Sequence, residues 1–255
     1  MKTSSLFRTG RRLGCEIFDL VCPRCCASCR CELGADQDEL CESCWEKLRH
    51  DLLAEACPTC GHQIGPYSLI HGRCHRCQQR RWDISQVARV GEYDGVLREL
   101  ILRYKFSGYG RLDRFLGELL APVVSQKIPL EELDGFVPVP LHWRRYWKRG
   151  FNQAELLARQ TAVFLKHRGK KIPVLSDLVR VRYTAAQGTL TWTAKHRNLR
   201  GAFAVRGDAD LKGKHLCLID DVSTSGNTLR MAAHALKQAG ASRIWAAVLA
   251  VSSSG

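Results

Sequence analysis

The chain has 255 residues, 45% of them hydrophobic, enough for one large domain or for one medium and one small domain. A net charge of +14 and a pI of about 9.4 suit solubility, or a polyanion such as nucleic acid or a pyrophosphate-bearing small molecule, and charge alone does not separate these. No apolar run is long enough to span a bilayer, and residues 1–14 lack the apolar stretch of a secretory signal, so no membrane-spanning helix and a reducing cytoplasm are expected.

Residues 1–14 read as a loose basic arm. Residues 15–82 carry twelve of the thirteen cysteines. In a reducing compartment such a cluster favours metal over disulfides. Its pairs are Cys26-x2-Cys29, Cys41-x2-Cys44, Cys57-x2-Cys60 and Cys74-x2-Cys77. Each C-x-x-C makes a tight knuckle that aims two thiolates at one ion, and two knuckles complete a tetrahedral site. Read sequentially, Cys26, Cys29, Cys41 and Cys44 hold one zinc, and Cys57, Cys60, Cys74 and Cys77 hold a second, giving a double zinc ribbon. Trp45 to Ala56, between the sites, reads as a short helix. Cys15, Cys22, Cys25 and Cys31 are surplus, Cys22-x2-Cys25 is a rival knuckle, and His62, His71 or His75 could substitute as ligands. The segment is too small for a sufficient apolar core, so zinc would supply much of its folding free energy. A contact module for nucleic acid or protein and a structural cap fit it equally.

From Trp82 the texture changes. Gln86 to Tyr93 reads as a strand, Gly95 to Phe106 as a helix, and Leu112 to Val124 as a second amphipathic helix, with Gly108 and Gly110 breaking the pattern between them. Lys105 near this break could face a ligand, a solvated surface lysine being the ordinary alternative. Phe136 to Leu141 reads as a short strand stiffened by two prolines. A loop then crowds Arg144, Arg145, Lys148 and Arg149 among Trp143, Tyr146, Trp147 and Phe151. Basic residues between strand and helix suit an anion, and their mixture with aromatics suits stacked bases of a single strand. A solvated charge run is the plainer reading. Ala154 to Leu165 follows as a helix. Arg180 to Phe203 is polar and aperiodic at first, which fits a mobile loop over an active site or a plain surface excursion.

The most informative stretch is 216–228. Leu216 to Ile219 reads as a buried strand, Asp220 and Asp221 follow at its carboxyl end, and then come Thr224-Ser225-Gly226-Asn227-Thr228. Leu229 to Ala239 reads as a helix closed by Gly240, and Ile244 to Val251 as another strand. A tight loop feeding a helix N-terminus exposes backbone N–H groups at the positive end of the dipole, which is a phosphate site. Gly226 lets an anion approach the backbone, and Thr224, Ser225 and Thr228 add hydroxyl donors. The two acids would repel a bare phosphate but accept well from vicinal sugar hydroxyls, so a ribose 5′-phosphate satisfies both halves. An ordinary strand–turn–helix with two solvated acids is the alternative. A Walker A loop is excluded by the lack of Gly-Lys-Ser/Thr, and no GxGxxG is present. Cys217 reads as core.

This stretch resembles the phosphoribosyl pyrophosphate (PRPP) motif of type I phosphoribosyltransferases. The chain as a whole resembles the ComF family of phosphoribosyltransferase-like proteins, including its GntX-like branch. The resemblance is carried by the C-x-x-C pairs, Tyr93-Asp94-Gly95 with Lys105-Phe106, Pro138 to Leu141 with Arg149-Gly150-Phe151-Asn152-Gln153, and Arg180, Thr184, Gln187 and Leu190 running to Asn198 and Ala202-Phe203. Lys195 stands where the family usually has an arginine, and Trp192 where a basic residue is common. Lysine keeps the charge and loses the bidentate fork.

The resemblance implies an α/β type I phosphoribosyltransferase fold, a doubly wound parallel sheet over 83–255, behind a zinc-ribbon segment over 15–82 and an arm over 1–14. It implies PRPP with its 5′-phosphate on Thr224 to Thr228 and its ribose hydroxyls on Asp220 and Asp221 as the catalytic pair. Pyrophosphate with Mg²⁺ would lie against Arg144, Arg145, Arg149 and Lys195. Lys105, Asn152, Gln153 and Gln187 would contact ligand or DNA. Two functions follow: phosphoribosyl transfer to an unidentified acceptor through a cation-like transition state, or a non-catalytic adaptor for single-stranded DNA with PRPP as regulatory ligand. Either would be linked to DNA uptake or the use of external DNA, with a competence helicase as partner.

Overall fold

The computed structural model describes residues 24–34, 36–52, 54–78, 82–107, 111–181 and 201–252. Four parallel strands form the central sheet: β1 (Val87–Glu92), β2 (Gly135–Pro138), β5 (His215–Ser223) and β6 (Arg243–Val251), in the order β1-β6-β5-β2. A separate antiparallel pair joins β3 (Leu178–Arg180) to β4 (Phe203–Val205). The helices are α1 (Glu42–Leu52), α2 (His75–Gln78), α3 (Gly95–Ser107), α4 (Arg111–Lys127), α5 (Trp143–Arg149), α6 (Gln153–His167) and α7 (Asn227–Gln238).

The two inner strands carry apolar runs, Leu216 to Ile219 in β5 and Ile244 to Val251 in β6, because both of their faces are covered there. Cys217 and Ile219 of β5, with Trp245, Ala247 and Leu249 of β6, face the cluster that includes Leu97, Leu116 and Leu157 of α3, α4 and α6. Leu216, Leu218, Ile244, Ala246 and Val248 face the opposite cluster with Leu229, Ala232 and Leu236 of α7. The alternation has the period of two that a strand imposes. This is the doubly wound parallel sheet expected, and Cys217 is core, as read.

The cysteine-rich segment shares this core. Cys26, Leu33, Leu40, Cys44 and Leu48 belong to the same apolar cluster as the helices of the first face. Arg103 of α3 donates to the carbonyls of Cys26 and Ser28 at 3.2 and 3.0 Å. The Cys57–Cys60 knuckle lies on the sheet, where Val87 N–H donates to Pro58 O at 2.8 Å. Gly61 (φ 74°) follows it so closely that a Cβ there would stand 3.1 Å from Val251 and 3.2 Å from Val87. The segment therefore takes part of its burial from the domain it precedes.

Two elements differ from the sequence reading. The basic, aromatic stretch expected as a loop folds into α5, with Tyr146 N–H donating to His142 O and Gly150 N–H to Tyr146 O at 3.1 and 2.6 Å. It contains no glycine or proline, and its Trp, Arg and Lys residues tolerate helix well. The acid pair lies within β5 rather than after it, because pairing with β6 continues through Ser223 opposite Val251.

Candidate functional site

β5 carries the acids to the carboxyl edge of the sheet, and the chain then turns through Thr224 and Ser225 into Gly226. Gly226 has φ 72° and ψ −2°, a left-handed conformation that L side chains rarely adopt, and it opens α7. The first N–H groups of a helix have no partner within it, so the turn offers backbone donors at the positive end of the dipole. Thr224, Ser225 and Thr228 are half-buried along this turn. Asn227 is only 1% exposed; its Oδ1 accepts from Arg230 at 3.1 Å, while its Nδ2 is buried without a partner among the described residues.

The carboxylates are held close. Asp221 N–H donates to Asp220 Oδ1 at 2.9 Å. Burial, and then the Asp221 charge beside it, push Asp220 up to about 8, against the opposing pull of Lys105 and Arg180. Lys105, near the end of α3, reaches Asp221 Oδ2 at 3.2 Å and stands 5.8 Å from the centre of the Tyr93 ring. Arg180 ends β3 and stacks 5.3 Å over Phe203, its ladder partner in β4. Val181 N–H donates to Ala202 O, which holds both ends of the intervening stretch beside the acids. Arg180 belongs to the motif singled out in the sequence but not to the expected binding set, and only the fold shows it acting on Asp220.

The other expected residues divide. Val139 N–H donates to Ile219 O at 2.9 Å, so the chain leaves β2 next to Asp220 before forming α5. Arg149 ends that helix half-buried, while the side chains of Arg144 and Arg145 lie outside the described part. Gln187 and Lys195, with Thr184, Leu190, Trp192 and Asn198, also lie outside the described residues. Asn152 caps α6: its Oδ1 accepts from Ala154 N–H and its Nδ2 donates to Val139 O, both at 3.2 Å. Its amide is therefore committed to backbone. Gln153 is 2% exposed, its carbonyl accepts from the Tyr104 hydroxyl at 2.8 Å, and its Nε2 has no partner among the described residues.

The metal-ligating pattern resolves into two groups. Cys57, Cys60, Cys74 and Cys77 are all buried, with sulfurs within 4.8 Å of one another. Separations of 3.9 Å for Cys57–Cys77, 3.6 Å for Cys60–Cys74 and 3.7 Å for Cys74–Cys77 match the edge of about 3.8 Å that four thiolates make around an ion at about 2.3 Å. Four thiols this close share hydrogen bonds, which draw Cys57 far down and push Cys77 far up. The donor set fits a tetrahedral ion of zinc's size. In the other group the four sulfurs within 4.8 Å are Cys26, Cys29, Cys31 and Cys41. Cys31, surplus by spacing, enters because Arg30 takes φ 67° and turns the chain, leaving the Cys29 and Cys31 sulfurs 3.3 Å apart. Cys44, the expected fourth ligand, lies in the first turn of α1, buried among the core residues, with its thiol in contact with Cys41, Cys29 and Cys26. Cys25 is exposed, and Cys15 and Cys22 lie outside the described residues. Among the described residues no helix is long and apolar enough to cross a membrane.

A phosphoribosyl transferase domain model matches residues 148–255, which takes in α6, β5, the turn and α7. Competence protein F of Haemophilus influenzae is 31% identical over 224 residues, covering 86% of this chain and 93% of that protein. DNA utilization protein YhgH of Salmonella typhi is 33% identical over 230 residues, covering 88% of this chain and 96% of that protein. Competence protein ComFC of Bacillus subtilis is 29% identical over 209 residues, or 80% of each chain. Identity above 30% over more than four fifths of the chain means that the chain belongs to the ComF/YhgH family of phosphoribosyltransferase-domain proteins.

Proposed function

We propose that the protein binds PRPP with Mg²⁺ and acts as a phosphoribosyltransferase on an acceptor used in DNA utilization. The observation that carries this reading is the order of groups along one edge: the acceptors Asp220 and Asp221 in the last part of β5, then, past Ser223, the left-handed Gly226 and the backbone N–H donors that open α7. Ribose hydroxyls donate to the acids, and the 5′-phosphate accepts from the backbone at 224–228 and from the hydroxyls of Thr224, Ser225 and Thr228. The pyrophosphate lies toward the α5 stretch of the sequence that carries Arg144, Arg145 and Arg149, with Lys195 as a further cation for it. Mg²⁺ supplies charge neutralisation on the leaving group. The chain's own part is electrostatic: carboxylates beside the developing positive sugar, and cations beside the departing pyrophosphate.

Lys105 pairs with Asp221 at 3.2 Å, so a ribose hydroxyl that donates to this carboxylate would share it with a cation. Zinc in both cysteine groups is the metal their geometry suits.

A second reading is favoured by the exposed aromatics. Trp143, Tyr146 and Trp147 of α5 and Phe106 of α3 all present rings to solvent, with Trp147 83% exposed. Solvent-exposed rings in a stretch of basic sequence suit single-stranded DNA, with PRPP then a regulatory ligand and a competence helicase the partner.

Titration calorimetry with PRPP and Mg²⁺ tests the shared premise. Wild type is expected to bind and the Asp220→Asn/Asp221→Asn double variant to lose binding, while no heat from wild type would refute it. Pyrophosphate release across nucleobase acceptors, set beside single-stranded DNA affinity as a function of salt, separates the two readings. Turnover with one acceptor supports the enzyme, and a steep salt slope without turnover supports the adaptor.

A further inference from the structure

Trp82 touches both halves of the molecule. It packs against the buried Cys57, Cys60, Cys74 and Cys77 group, and also against the apolar cluster that covers β5, β6 and α7. Its ring lies against Gly226: a Cβ at that glycine would stand 2.6 Å from Trp82 Cη2 and 3.5 Å from Cζ2 and Cζ3. The next residue makes a second contact with the same helix, as Asp83 Oδ2 meets His234 Nδ1 of α7 at 3.1 Å. The cysteine group also bears on the turn from the other side. Gly61, which follows Cys60, lies against Val251, and Ser252 N–H then donates to Ser223 O, the residue before Thr224.

We propose that Trp82 is a positioning residue through which a metal ion held by Cys57, Cys60, Cys74 and Cys77 fixes the Gly226 turn. A packed indole between two elements transmits displacement because interiors are close-packed and nearly incompressible. With the ion bound, the knuckles are fixed, the ring is fixed on them, and Gly226 is confined to its left-handed conformation with its N–H groups pointing outward. Without the ion, four buried thiols must repack, the ring loses its support, and the turn gains conformers in which those donors no longer converge. The consequence for binding rests on the reading that this turn takes the 5′-phosphate. The mechanical link does not.

The test reads the turn directly. Hydrogen exchange at 224–230 is measured in the full-length protein alongside metal content, for wild type, Cys74→Ser, Cys29→Ser, Trp82→Phe and Trp82→Ala. Cys74→Ser is expected to lose about one ion per chain and to exchange at least about tenfold faster across the turn. Cys29→Ser is expected to lose the other ion and leave the turn unchanged. Trp82→Ala is expected to keep both ions and still exchange faster, with Trp82→Phe between it and wild type. The indole N–H is buried without a partner among the described residues, so its replacement by phenyl removes an unsatisfied donor and is expected to fold. Wild-type protection in Trp82→Ala with both ions present would overturn the proposal, as would wild-type protection in Cys74→Ser after loss of its ion. Should Cys74→Ser fail to fold, the Trp82 variants decide alone. In a parallel titration with PRPP and Mg²⁺, affinity is expected to fall at least about fivefold in Trp82→Ala. Absence of wild-type binding would count against the proposed function, and the exchange data would still decide the link.

Discussion

Replacing Asp220 by asparagine should stabilise the fold while removing ligand binding. Asp220 sits at the sheet edge with Asp221 beside it, and burial and that neighbouring charge raise it from 3.8 to about 8. The unfolded chain ionises it near 3.8, so between about pH 4 and 8 folding must take up a proton. The sign follows: the contribution is fully favourable below about 4, fades as pH rises, and leaves the folded state carrying its largest cost above about 8. At about 1.4 kcal/mol per tenfold change in proton affinity, the ceiling at high pH is near 6 kcal/mol. Water at the edge and rearrangement of nearby side chains reduce the expected gain to on the order of 2 kcal/mol. For a chain of this size that is a rise in Tm of about 4–8 °C. Thermal melts of wild type and Asp220→Asn by circular dichroism from pH 5 to 9 should diverge steadily as pH rises. Calorimetry of the same proteins should show loss of PRPP binding in the variant. A Tm difference that stays flat or turns negative toward pH 9 would refute the reasoning, because the carboxylate would then be ionised without cost.

Three further outcomes are expected. Gly226→Ala forces an L side chain to φ 72° and drives a Cβ to 2.6 Å from Trp82, so stability should fall by on the order of 1–3 kcal/mol in denaturant unfolding, with PRPP affinity falling too; an unchanged midpoint would show that the ring is free to move aside. Metal analysis should find about two zinc ions per chain, about one in Cys31→Ser, and still about two in Cys44→Ser, whose cost should be in core packing; the reverse result would make Cys44 the ligand. Trp147→Ala should weaken single-stranded DNA binding in fluorescence anisotropy by about 1–3 kcal/mol with little change in Tm, and equal affinity would remove Trp147 from the DNA surface.

The sequence by itself determined the elements whose chemistry is local. Apolar runs placed β6 and the start of β5 within a residue and α7 within two, because a strand buried on both faces reads as a continuous apolar run, while the end of β5, where Asp220 to Ser223 are mostly polar, reads four residues short. The acid pair followed by small hydroxyl residues and a glycine was legible, since a left-handed turn into a helix needs those residue types at that spacing. The cysteine spacing foretold two cysteine clusters and all four members of the second.

What the tertiary structure decided were pairings between distant segments. Cys31 joined a metal group through one left-handed residue, Arg30, that no spacing rule anticipates. Lys105 found Asp221 only because α3 packs beside the carboxyl edge, and Arg180 acts on Asp220 because β4 returns to hold it there. Asn152 reads as a ligand contact in sequence, and the fold gives its amide two backbone partners, Ala154 N–H and Val139 O, because an amide at a helix start finds its nearest partners there. Trp82 marked only the end of the cysteine-rich segment in sequence. Its meaning lies in a contact with a glycine 144 positions away, which the chain sets only once both cores have formed.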